Sequence, residues 1–230
     1  MLVYRLYTEL LEAYHILIAG TTGSGKSTLL DGLMYAACNL NPAPALVLID
    51  PKRTTFKKYK DMIITARYET DIKGALMALR QVADIMVDRY KELDEDPWAE
   101  KSTRPPIYVF IDEYADLICG EDNKKTTQEA ERLIIKLARL GRAANIHLII
   151  ATQTVLANIV KTEIKSNFVT RIALHMEMPS QSRLVLGISG AENLPEIGRA
   201  LIIKGGHIKE YVLPRTPRAD LERVVNYWNK

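Results

Sequence analysis

Residues 20–28 read Gly-Thr-Thr-Gly-Ser-Gly-Lys-Ser-Thr and directly follow the apolar run Ile16-Leu17-Ile18-Ala19. A backbone that bends at Gly20, Gly23 and Gly25 can aim its N–H groups inward around a chain of phosphates. A helix expected over 26–38 adds the positive end of its dipole. Lys26 is placed to reach the β- and γ-phosphates, and the Ser27 hydroxyl to hold Mg²⁺. Thr21, Thr22, Ser24 and Thr28 complete the cradle. The chemistry this spacing supports is capture of a nucleoside triphosphate, ATP, together with magnesium.

A second acidic group stands where the same crevice should lie. Ile107-Tyr108-Val109-Phe110-Ile111 ends in Asp112-Glu113. Asp112 can hold the magnesium through water, and Glu113 can polarise a water for in-line attack on the γ-phosphate. The bland alternative is a solvated acidic turn. Gln153 closes the run 146–153; its amide both donates and accepts, which suits sensing a γ-phosphate or orienting water. Its alternative is a helix cap or turn residue.

Arg142 lies between a helix end and a strand. It is either a solvated charge at the helix terminus or a finger that a neighbouring copy inserts into the site, because a guanidinium grips phosphate with two hydrogen bonds. Arg139 and Arg171 are the substitutes. Lys52 and Arg53, in Asp50-Pro51-Lys52-Arg53, either touch the phosphates or an adjacent subunit, or form a surface salt bridge. His15, His147, His175 and His207 have no metal-ligand spacing.

These residues need a scaffold that brings strand ends together. Strand-like apolar runs recur at 15–19, 45–49, 62–65, 107–111 and 146–151. Helical periodicity fills the gaps, most clearly over 71–93, where Ile72, Leu76, Leu79, Ala83, Met86, Tyr90 and Leu93 share a face, and over 127–140. Strands alternating with helices predict an α/β fold with a mostly parallel central sheet and helices on both faces. Beyond residue 151 the pattern predicts short strands at 168–174, 199–203 and 208–213, a short helix near 180–186, and a hairpin turn at Gly205-Gly206. The tail 219–228 puts Leu221, Val224, Val225 and Trp228 on one face and is expected to pack back. The polar, proline-bearing segment 94–106 reads as a surface loop, with Trp98 partly packed on its own domain. One domain is expected over 1–230, with a core of about 12–205 and a C-terminal hairpin and helix at 206–230.

Composition sets outer limits. The chain has 230 residues, 47% hydrophobic and 26% charged, which excludes a disordered or collagen-like chain. A net charge of only +3 cannot carry an argument for nucleic acid, so any such surface must be local. Cys38 and Cys119 make neither a disulfide framework nor a metal pair and read as buried free thiols of a reducing compartment. No run approaches the ~18 apolar residues of a membrane span, and the N-terminus lacks a signal-peptide profile. A cytoplasmic protein is expected.

Taken together, several blocks resemble one family. His-Ile-Leu-Ile-Ala-Gly-Thr-Thr-Gly-Ser-Gly-Lys-Ser (15–27), Leu-Val-Leu-Ile-Asp-Pro-Lys-Arg (46–53), Phe-Ile-Asp-Glu-Tyr-Ala-Asp-Leu (110–117), the block 137–153 and Thr-Arg-Ile-Ala-Leu (170–174) are similar, in order, to the FtsK/SpoIIIE motor domain. The resemblance runs from about residue 12 to about 205. It implies a RecA-like P-loop NTPase, a homohexameric ring, and ATP hydrolysis that drives double-stranded DNA through the channel. It also implies that Lys26, Ser27, Asp112 and Glu113 bind and hydrolyse ATP, and that Arg142 is the inter-subunit finger. Lys161, Lys165, Arg183 and Arg199 are candidates for tracking DNA phosphates, against the alternative of plain surface charges.

Family members usually carry a further α/β subdomain before the phosphate loop and often a winged helix afterwards. Membrane-associated, recombination or secretion partners are therefore expected to supply what this chain does not. Residues 191–199 also look somewhat like the type VII secretion motors. That leaves two other readings: a coupling ATPase that moves protein or nucleoprotein through a secretion or conjugation pore, and a nucleotide-gated adaptor with slow hydrolysis.

Overall fold

The computed structural model describes residues 2–119 and 124–229, with side chains from Arg5 onward. Its strands are β1 (His15–Ala19), β2 (Ala45–Ile49), β3 (Thr65–Glu69), β4 (Ile107–Ile111), β5 (Ile146–Thr152), β6 (Thr170–Ala173), β7 (Arg199–Lys204) and β8 (His207–Val212). They form one sheet in the order β3-β2-β4-β5-β1-β6-β7-β8. Pairing is parallel from β3 through β6, with Ile16 beside Ile149 and Val109 beside Leu148. The last two strands are antiparallel, joined at Gly205-Gly206, where both residues take positive φ (58° and 80°).

The centre of the sheet is buried on both faces: every residue of β1, β4 and β5 is buried, and all but His15, His147 and Thr152 are apolar or aromatic. Successive residues point to opposite sides. Leu17, Val109, Leu148 and Ile150 meet α3 (Ile72–Glu95) and α5 (Lys124–Leu140) through Leu79, Met86, Ile134 and Leu137. Ile16, Ile18, Leu48 and Phe110 meet α1 (Leu2–Leu11), α2 (Lys26–Cys38) and α8 (Arg218–Trp228) through Tyr7, Leu29, Leu33 and Val224. The Asp71 carboxylate caps α3 by accepting from Gly74 N at 2.9 Å. In α8 the Trp228 indole donates to the Cys38 carbonyl at 3.1 Å, so the tail does pack back.

Several expectations need correction. The third strand is Thr65–Glu69, not 62–65, because the apolar Met62-Ile63-Ile64 run forms the turn that leads into a half-buried edge strand. Helices α1, α4 (Tyr114–Cys119) and α6 (Thr162–Asn167) were not anticipated; α4 and α6 are too short for periodicity to register. The short helix near 180–186 is α7 (Pro179–Leu186). Trp98 is 92% exposed rather than packed, since its loop runs across open surface. Cys38 is buried, with its thiol pushed up to about 12 by desolvation, whereas Cys119 is exposed. Among the described residues no helix is long and apolar enough to cross a membrane.

Candidate active site

Parallel strands discharge their loops at one edge, and five of them do so here. The phosphate loop follows β1, Asp50 to Arg53 follow β2, Asp112 and Glu113 follow β4, Gln153 follows β5, and His175 lies just beyond β6. The loop closes onto its neighbours through Gly20 N to the Thr152 carbonyl (3.3 Å) and Thr21 N to the His175 carbonyl (3.1 Å). Gly23 and Gly25 adopt φ of 84° and 93°, a region an L side chain enters with strain. A Cβ on Gly20 would lie 2.6 Å from Ser24 Oγ and 2.7 Å from Leu174 Cβ, so this position takes no side chain without movement.

At the centre of the site is Glu113, 1% exposed. Its Oε1 accepts from Thr152 Oγ1 at 2.8 Å and from Gln153 N at 2.9 Å. Its Oε2 lies 3.2 Å from Lys52 Nζ and 3.6 Å from Lys26 Nζ. Lys26 is itself buried and its ammonium makes no hydrogen bond. Desolvation lowers its pKa, opposed by the charges of Glu113 and Asp112. Burial also acts against the charge of Lys52, but Glu113, Asp116 and Asp112 outweigh it and hold that ammonium above the usual lysine range. Asp112 is raised, chiefly by desolvation, with a Thr55 hydrogen bond pulling the other way.

Orphaned donors, not acceptors, dominate this crevice. Ser24 Oγ is buried without a partner, and Lys26 Nζ is buried with only its 3.6 Å ion pair to Glu113 and no hydrogen bond, which fits a polyanion whose oxygens would take them. Thr22 Oγ1 donates to Gln153 Oε1 at 2.9 Å, so the phosphate loop and the end of β5 are already linked. A cleft of about 540 Å³ opens beside them, walled by Gln153, His175, Glu177 and Glu196. Among the described residues no cluster of three or more His, Cys, Asp or Glu could hold a metal alone. A magnesium ion does not need one: it keeps waters and phosphate oxygens and takes one or two protein oxygens, which Ser27 and Asp112 would supply.

Sequence reasoning left Lys52 open between two roles and gave none to Thr152, Thr55 or Asp50. Asp50 is wholly buried and accepts from Thr54 N, Phe56 N and the Tyr68 hydroxyl, fixing the turn that aims Lys52. The one legible signal was position: Asp50 and Lys52 follow β2 and Thr152 ends β5 at the ligand edge.

Arg142 lies elsewhere. It precedes β5, whereas the phosphate loop follows β1, so the two sit at opposite edges of the sheet, about 20 Å apart at ~3.3 Å per strand residue. Its guanidinium rests over the Tyr14 ring at 5.2 Å. The turn that carries it is held by buried Arg89, which donates to the carbonyls of Ala144 (2.7 Å) and Pro105 (2.8 Å). Arg139 and Arg142 line one open pocket together with Tyr14. Arg171 instead donates to the Lys165 carbonyl at 3.0 Å at the foot of α6, a structural contact. A cavity of about 760 Å³ also lies at this far edge, lined by Tyr14, Tyr108 and His147, and includes none of the residues of the phosphate loop or of the Glu113 cluster.

Two of the four nucleic-acid candidates are already held in ion pairs. Lys161 pairs with Glu131 at 2.7 Å and Arg199 with Glu210 at 2.5 Å. Lys165 sits near the start of β6, and Arg183 on the exposed side of α7. His15 and His147 are core residues, and His175 Nδ1 lies 2.8 Å from the Leu194 carbonyl.

A phosphate loop between a buried strand and helix, with an Asp-Glu pair on a nearby parallel strand and a polar residue ending the strand between them, defines a RecA-like P-loop NTPase. Comparison with known proteins agrees and goes further. The FtsK/SpoIIIE family matches over residues 5–102 and 93–156, and the chain belongs to that family. It is 34% identical to the DNA translocase FtsK of Borreliella burgdorferi over 88% of its own length, but spans only 28% of that relative. Among solved structures it is similar to the pCW3 conjugation coupling protein TcpA bound to ATPγS (TM-score 0.81, 26% identity, covering 94% of this chain and 65% of that one). The fold is also that of the cytoplasmic domain of the type VII secretion ATPase EccC from Thermomonospora curvata (TM-score 0.71, 22% identity, covering 94% and 28%).

Proposed function

We propose that the chain is an ATP-driven motor domain that pumps double-stranded DNA, working in the cytoplasm as a homohexameric ring with ATP at each seam. The observation that carries this reading is Glu113, buried between Lys26, Lys52, Thr152 and Gln153 at the strand ends. Two ammonium groups, those of Lys26 and Lys52, lie beside this carboxylate. An incoming triphosphate draws Lys26 to its β- and γ-oxygens and frees one face of Glu113 to accept a proton from water. Thr152 and the Gln153 backbone keep the carboxylate aimed, while the Gln153 side chain reports the γ-phosphate to Thr22 of the loop. Magnesium, held by Ser27 and Asp112, would neutralise charge on the phosphates.

Arg142 is too far from its own phosphate loop to act there. As a finger it serves a neighbouring copy, and a head-to-tail contact of this kind closes into a ring. Lys165 and Arg183 form no ion pair among the described residues and are the better placed of the four cations to follow a phosphate backbone. The DNA assignment draws on the named activity of the FtsK relative. A second reading, a coupling ATPase for protein or nucleoprotein, draws on the likeness to TcpA.

The test is ATP turnover with and without duplex DNA across a salt series. Strong stimulation that fades as salt rises supports the DNA motor. Stimulation only by a protein partner supports the coupling ATPase, and turnover near background under all conditions supports a nucleotide-gated adaptor.

A further inference from the structure

A turn built around Asp50 aims Lys52 at Glu113. The Asp50 carboxylate is wholly buried and accepts from Thr54 N at 3.3 Å and Phe56 N at 2.9 Å, and Arg53 N donates to the Asp50 carbonyl at 3.0 Å. Arg53 holds φ at 57°, a left-handed conformation that a residue with a side chain seldom takes. Backbone held this way, where the strands end, points to a placed side chain rather than a free surface charge.

A carboxylate offers about four acceptor sites, and on Glu113 they are taken. Oε1 accepts from Thr152 Oγ1 at 2.8 Å and Gln153 N at 2.9 Å; Oε2 accepts from Gln153 N at 3.1 Å and Lys52 Nζ at 3.2 Å. A general base must show a water one open acceptor site. Thr152 and Gln153 N are fixed by β5, and the phosphates claim Lys26. Lys52 is the remaining cover, and it has somewhere else to go. Its ammonium also lies 3.6 Å from Asp116 Oδ2, on α4 one turn beyond Glu113, and both side chains reach solvent (39% and 47% exposed).

We propose that Lys52 is a latch on the base: a positioning residue that holds Oε2 of Glu113 closed to water and opens it by turning to Asp116. The inference rests on the role given to Glu113 above. With the latch open, the water oxygen bonds to the γ-phosphorus, its proton passes to Glu113, and the bond to the departing ADP oxygen breaks.

Single-turnover phosphate formation at saturating ATP and magnesium, with the intact chain at high concentration, reads the chemical step, and calorimetry reads ATP affinity. Lys52→Met should raise the rate roughly three- to tenfold and leave affinity within about twofold. Asp116→Asn removes the second partner and should slow the rate by a comparable factor, again with affinity unchanged. The double variant should match Lys52→Met alone, because Asp116 acts only through the latch; a lysine that merely supports the fold gives no such non-additivity. An unchanged or slower Lys52→Met, an unchanged Asp116→Asn, or a double variant that multiplies the two single effects overturns the latch. Weaker ATP binding by Lys52→Met also overturns it and puts Lys52 on the phosphates instead. Turnover retained by Glu113→Gln removes the base and the latch together, whereas turnover lost there beside a slower Lys52→Met removes the latch alone.

Discussion

Glu113→Gln separates binding from hydrolysis more cleanly than any other single change. The substitution keeps shape and removes charge. The amide oxygen still accepts from Thr152 Oγ1 and Gln153 N, while the new NH₂ faces Lys52 and Lys26 in place of Oε2. Lys52 is 39% exposed and keeps Asp116 at 3.6 Å, but buried Lys26 loses its paired carboxylate, so the fold should lose about 3 kcal/mol. Lys26 loses the carboxylate that competes with phosphate, so ATP affinity should hold or rise by about two- to fivefold. Proton abstraction from water has no acceptor, and kcat should fall about 10²–10⁴-fold, equivalent to roughly 3–5 kcal/mol of barrier. Phosphate release measured beside calorimetric ATP binding reads both effects. Turnover above one-tenth of wild type, or loss of ATP binding in parallel with turnover, would refute the role given to Glu113.

Three further outcomes are expected. Gly20→Ala should weaken ATP by about tenfold or more, because its methyl group meets Ser24 and Leu174 and displaces the loop; titration calorimetry reads it, and unchanged affinity argues against a preset loop. Arg89→Met should cost about 3 kcal/mol in urea unfolding, since the carbonyls of Ala144 and Pro105 lose their buried donor; a loss under 1 kcal/mol removes Arg89 as the staple of the Arg142 turn. Acid should destabilise the fold through His15 and His147, which burial lowers to about 4 and about 3. Below the ordinary histidine value the unfolded chain binds protons that the native one refuses, so stability is full above about pH 6.5 and falls as pH drops through the window toward 4. Between about pH 7.5 and 5.5 the pair should lose about 3 kcal/mol, and the double variant His15→Asn, His147→Phe should flatten that slope.

Legibility in the sequence followed physical strength. Strands β1, β2, β4 and β5 were plain because a sheet covered on both faces demands unbroken apolar runs, and the phosphate loop was plain because its glycines are backbone requirements. Edge strand β3 was misplaced by a few residues, since Arg67 and Glu69 carry no apolar signal while the turn at Met62-Ile63-Ile64 does. Asp112, Glu113 and Gln153 were legible as candidates from their places at strand ends. Lys52, Thr152 and Asp50 act through contacts across the sheet, and strand order cannot be read along a chain. Trp98 was misjudged because a lone aromatic in a proline-bearing loop carries no record of what lies beneath it.

The most direct test of the seam is to mix inactive copies. Lys26→Ala lacks a phosphate site but keeps Arg142, and Arg142→Ala lacks the finger but keeps the site. Mixed in equal amounts, about one seam in four should combine an intact Lys26 with a neighbour's intact Arg142, and ATP turnover should recover toward a quarter of wild type. Turnover no higher than the sum of the two variants alone, at every ratio and at high protein concentration, would contradict a site completed by a second copy.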